Sequence, residues 1–85
     1  MWRMPPNLRH IPGAEIVALL QSQGFVVIRQ KGSHVRLRIQ QNEIIHAITI
    51  PLHREIDRGT LKSIVRSLQK CLTEEIIKKL FYTSQ

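Results

Sequence analysis

A single imidazole stands in the stretch RQKGSHVRLR, residues 29–38, where Arg29, Lys31, Arg36 and Arg38 surround His34 with no acidic residue among them. Cleavage of RNA needs a proton acceptor near the attacking oxygen, and imidazole titrates close enough to neutrality to serve. Neighbouring cations favour its neutral, proton-accepting form. The same cations bind phosphate and stabilise the extra negative charge of a transition state. Residue types alone leave a second reading open, in which His34 is a solvated side chain of a basic turn.

Other residues bear on this chemistry less directly. Ser33 lacks the carboxylate and second histidine that would make it a nucleophile, so it is expected to hydrogen-bond within the turn. Together with Lys31, Arg36 and Arg38 it belongs to the expected RNA-binding surface. His46 lies amid apolar residues and reads as structural, as does His53 after Pro51, although His53 could also supply a second acid; His10 has no readable role. His34, His46 and His53 lack the spacing of metal ligands, and the single Cys71 excludes both an intrachain disulfide and a cysteine-rich zinc site. No metal or other cofactor is expected. The segment DRGTLKS, residues 57–63, can aim a helix start and the Thr60 hydroxyl at a phosphate with Lys62 and Arg66 nearby, so Lys62 joins the RNA-binding set. An ordinary capped helix is the alternative there.

These residues must be positioned by short elements. Pro5, Pro6 and Pro12 make residues 1–12 an irregular arm, and residues 13–85 are expected to form one domain. Ile16, Val17, Leu19 and Leu20 follow helical spacing over residues 14–23, with Gly24 placed for a left-handed cap. FVVIRQ at 25–30 and HVRLRIQQ at 34–41 read as a hairpin turning at Gly32. In its second strand Val35, Leu37 and Ile39 alternate with His34, Arg36 and Arg38, which puts the imidazole and two arginines on the face away from the core. IIHAITI at 44–50 is a third strand, apolar on both faces and so without a readable register. Thr60 is placed to cap a helix with the stripe Leu61, Ile64, Val65 and Leu68, and Thr73 to cap a short terminal one.

Composition sets the limits. An 85-residue chain holds one domain with a modest core. No apolar run exceeds five residues, far short of the roughly 20 that span a bilayer. The opening MWRMPPNLRH has no apolar core of a secretion signal, so a cytoplasmic location is expected. Thirteen Lys and Arg against six Asp and Glu give a formal charge of +7, and the excess sits before Glu43, where six cations accompany one acid. A polyanion is the natural partner.

The order α-β-β-β-α, with GFVVIRQKGSH at 24–34, ITIPLH at 48–53 and RGTLKSIV at 58–65, resembles the HicA family of toxin ribonucleases. The resemblance implies an α+β fold like the double-stranded RNA-binding domain, a three-stranded antiparallel sheet with helices on one face, here with a short C-terminal helix added. It also implies the toxin component of a type II toxin-antitoxin system: a metal-independent endoribonuclease (mRNA interferase) silenced by a HicB-like antitoxin, with His34, in the glycine-serine-histidine motif, as catalytic general acid or base. The chain departs from many relatives in carrying Val35-Arg36-Leu37 where a second histidine or an aromatic residue follows the motif. A non-catalytic RNA-binding module on the same fold is the alternative function.

Overall fold

The computed structural model describes residues 7–83, so residues 1–6 of the expected arm lie outside the described residues. The elements run α1 (Gly13–Ser22), β1 (Val26–Lys31), β2 (His34–Gln41), β3 (Ile44–Pro51), α2 (Arg58–Leu68) and α3 (Glu74–Phe81). The strands form one antiparallel sheet in the order β1-β2-β3. This is the expected α+β architecture. No helix among the described residues is long and apolar enough to cross a membrane.

The central strand sets the layering. Val35 and Leu37 are 4% and 0% exposed, whereas His34, Arg36 and Arg38 between them face solvent. Cross-strand pairing then supplies the register that the third strand's composition had concealed. Ile50 and Ile48 pair with Val35 and Leu37 on the core side, while Thr49 and Ala47 pair with Arg36 and Arg38 on the open side. Residues directly opposite share a face. In β1 the register shifts between Val27 and Arg29, a bulge that puts Val26 opposite Arg38 and Arg29 opposite Arg36.

Both hairpins turn through two residues. Gly32, with φ 58°, occupies the first loop position between β1 and β2, and Asn42, also at φ 58°, does so between β2 and β3. A positive φ at that position matches the right-handed twist of the strands and favours glycine or asparagine. Gly24 likewise takes a left-handed φ of 101° behind α1, as its position suggested.

The helices cover the Val35–Leu37 side of the sheet. Ile16 and Leu20 from α1 and Leu61, Val65 and Leu68 from α2 are at most 1% exposed in one core with Leu37 and Ile50. Each such burial stabilises the fold by about 1.5–3 kcal/mol before entropy is subtracted. At Gly13 a Cβ would lie 1.9 Å from the Pro51 carbonyl oxygen, and the Gly13 amide donates to the His53 carbonyl at 2.9 Å. Only glycine lets α1 start against the end of β3.

The start of α2 corrects one expectation. Asp57, not Thr60, is the N-cap: its carboxylate accepts from the Thr60 amide at 3.0 Å, and Thr60 Oγ1 donates to its other oxygen at 2.6 Å. An aspartate three residues ahead reaches the unpaired amides of the first turn, so the helix begins earlier than its apolar stripe suggests. Thr73 caps α3 as expected, accepting from the Ile76 amide at 3.2 Å.

Residues 7–12 contain no helix, yet Leu8 and Ile11 are buried in the same core. They are tied to the other end of the chain. Arg9 donates its amide to the Phe81 carbonyl at 2.8 Å, Thr83 donates to Asn7 at 3.1 Å, and Leu8 forms a bridge with Tyr82.

Candidate functional site

The open side of the sheet carries two chemically distinct ends. Around the β1–β2 turn, Lys31 pairs with His34 and Arg29 with Arg36 across the strands. Two arginines directly opposite one another repel, an arrangement that lowers the stability of a sheet. Local costs of this kind are characteristic of functional sites. At the other end Val26, Ala47 and Ile45 accompany Arg38 and Gln40.

A cavity of about 810 Å³ opens on the first end, lined by Arg29, Lys31, Gly32, Ser33, His34, Arg36 and Thr49. Three cations and one imidazole therefore share a cavity without an acid. Among the described residues the ion pairs are Arg9–Glu15 at 2.6 Å and Lys78–Glu74 at 2.9 Å, so the site's cations are not neutralised internally. Arg36 Nη1 donates to Thr49 Oγ1 at 3.0 Å, which holds one guanidinium across β3 and leaves its remaining donors available. A phosphate has a ready set of partners here, with a titratable ring beside it.

The structure gathers His34, Lys31, Ser33 and Arg36, and it adds Arg29 and Thr49. Arg29 was legible as a cation of the hairpin, two residues before Lys31 on an extended strand. Thr49 was hidden because β3 is apolar on both faces, and only its pairing with Arg36 reveals it. Arg38 is on the same face but four residues from His34, about 13 Å along the strand, and lies outside the cavity. Lys62 is exposed on α2 and lines neither this cavity nor the groove beside α2.

Two further expectations need correction. Among the described residues the Ser33 hydroxyl forms no hydrogen bond within the turn; its backbone carbonyl instead accepts from the Leu52 amide at 2.6 Å, anchoring the turn to the loop after β3. Ser33 itself is one of the residues that line the cavity. The phosphate-ready start expected at DRGTLKS is occupied by the protein itself, because Asp57 takes the Thr60 hydroxyl and amide. Those same hydrogen bonds hold the Asp57 carboxyl below its ordinary range, so it presents a negative charge at the helix start.

The other histidines are elsewhere. His46 is half-buried on the core side of β3 opposite Ile39. His53 is exposed, contributes its backbone carbonyl to Gly13, and does not line the His34 cavity. No group of three or more His, Cys, Asp or Glu side chains among the described residues could hold a metal ion. Burial raises the Cys71 thiol, as suits a small apolar residue packed against the core.

No curated protein and no solved structure matches the chain. The model of the family described as "HicA toxin of bacterial toxin-antitoxin" matches residues 13–70, from the first residue of α1 to just beyond α2. That span is well over half of the 85 residues and contains the whole sheet, the glycine-serine-histidine turn and the cationic cavity. The chain belongs to the HicA toxin family of bacterial toxin-antitoxin systems.

Proposed function

We propose that this toxin is a metal-independent endoribonuclease that cleaves mRNA, with His34 as its general acid or base. One observation carries the reading: His34 shares an open cavity with Arg29, Lys31 and Arg36 and with no carboxylate. With His34 as base, the attacking oxygen gives its proton to the imidazole as it bonds to phosphorus, and the leaving oxygen takes a proton from water as its P–O bond breaks. The three cations hold the phosphate and offset the charge that builds on its oxygens. The cavity lies on an exposed sheet face, so an RNA strand reaches it without rearrangement of the core. Lys62 lies farther off on α2 and, with Arg38, would contribute longer-range attraction to the polyanion.

Silencing follows from the same geometry. A HicB-like antitoxin carrying acidic residues would cover the imidazole and neutralise its cations in one contact, and complementary charge would speed its association. The domain expected over residues 13–85 is proposed to draw on the arm as well, since Leu8 and Ile11 share the core with α3 outside the family match.

Turnover separates this function from a binding module that only occupies RNA. Purified protein incubated with single-stranded RNA in EDTA is expected to release defined fragments at a rate proportional to enzyme. Binding without fragments, at protein concentrations that saturate the RNA, would establish the non-catalytic module instead.

A further inference from the structure

A second groove leaves the His34 cavity along the edge of the sheet. It encloses about 320 Å³ between β3 and α2 and is lined by Ala47, Ile48, Thr60, Ser63, Ile64 and Ser67. Arg36 and Thr49 line both spaces, so their hydrogen bond stands at the junction. Gln41, at the far end of β2, donates to the Cys71 carbonyl at 2.7 Å just beyond α2. The helix end is thereby fixed at the β2–β3 turn, and α2 runs back along β3. The groove therefore leads from the junction toward Ser67, away from His34.

Its polar lining is mostly hydroxyl. Ser63 and Ser67 are four residues apart on α2, hence on one face and about 6 Å apart along its axis. Both are exposed, and neither side chain forms a hydrogen bond among the described residues. Thr60 completes the row, with its hydroxyl taken by Asp57. One row outward, Arg66 and Lys70 are exposed, three residues beyond Ser63 and Ser67 respectively. Beyond the Asp57 carboxylate that holds Thr60, the Ser63 and Ser67 hydroxyls bordered by cations suit a ligand that offers hydroxyls and anionic oxygens in alternation. RNA does so through its ribose 2′-OH and phosphate groups. Ala47, Ile48 and Ile64 give the groove an apolar side as well, so what favours RNA over a docked protein segment is the hydroxyl row and its flanking cations.

We propose that this groove seats the ribose-phosphate segment of single-stranded RNA that flanks the bond held at His34, with Ser63 and Ser67 hydrogen-bonding the chain and Arg36 shared between the two sites. The inference rests on the ribonuclease reading of the His34 cavity. It makes α2, which carries no candidate catalytic group, a determinant of how RNA is gripped and of which strand direction is productive.

The test uses full-length His34→Ala protein, to prevent cleavage, titrated by NMR with short single-stranded RNA, DNA of the same sequence and a polyglutamate peptide. RNA is expected to move the amide signals of Ser63 and Ser67 as well as those around Arg29–Arg36, and DNA to move the α2 signals less. Adding Ser63→Ala with Ser67→Ala should weaken RNA binding about tenfold, the scale of two lost hydrogen bonds. Alanine is the better helix former, so the variant keeps its fold. Shifts confined to residues 29–36, with unchanged affinity in the double alanine variant, would overturn the groove and leave the His34 reading standing. No RNA-induced shift in either region would overturn both. Movement of the α2 signals by polyglutamate and not by RNA would assign the groove to an acidic protein and overturn the proposal.

Discussion

The two faces of β2 are built from alternate residues of one strand and behave as different materials. On one side Val35 and Leu37 are closed off by helices, and on the other His34, Arg36 and Arg38 are exposed. Neighbouring residues on this strand thus belong to separate problems: one set holds the sheet to its helices, and the other holds cations near an imidazole. The difference teaches that fold and chemistry are separable here at single-residue resolution. A period of two in the sequence allows it.

The largest effect on stability should come from the closed face. Leu37→Ala removes a side chain that is 0% exposed and is expected to cost about 2–5 kcal/mol in urea unfolding. A loss within about 0.5 kcal/mol, the range of ordinary surface changes, would mean that the two faces are not as different as their burial implies.

The open face should respond in binding and not in folding. Replacing Arg29 and Arg36 by glutamine is expected to weaken RNA affinity and to flatten its salt dependence by about 0.7 log units per lost phosphate contact on a single strand. Relief of their mutual repulsion should leave the thermal midpoint unchanged or raised. Lys78 and Lys79 provide the comparison, since they lie on α3 and Lys78 is paired with Glu74 at 2.9 Å. Their replacement should change the slope far less. Equal slopes for wild type and both double variants would reduce the hairpin's charge to a solvated surface.

A smaller and more local effect distinguishes the faces in the complex with the antitoxin. Amide hydrogen exchange should slow around residues 29–36 when the antitoxin binds, with little change in the already protected α1 and α2 core. Protection confined to α3 would place inhibition at a distance from His34.

Much of this division was legible in the sequence because it rests on strong local signals. HVRLRIQQ alternates cleanly, Gly32 supplies the turn's positive φ, and Gly24 and Thr73 mark helix ends by their own conformational preferences. What was not legible depends on pairing or on competition between residues. Thr49 faces Arg36 only through the β2–β3 register, which a strand apolar on both faces does not encode by itself. Thr60 lost the cap to Asp57 because a capping aspartate can lie well ahead of the apolar stripe. The core role of Leu8 and Ile11 was obscured by prolines on either side and depends on a long-range pairing with Phe81 and Tyr82.

The central claim is that the open face performs chemistry through His34 and not merely attraction through its charge. Its most direct test is to measure cleavage and RNA affinity together for wild type and His34→Ala, with circular dichroism confirming the fold of each. The exposed ring makes no packing contribution to the core, so a folded variant is expected that binds RNA as before and cleaves at least about 100-fold more slowly. Undiminished cleavage by His34→Ala, with contaminating nuclease excluded, would contradict the account.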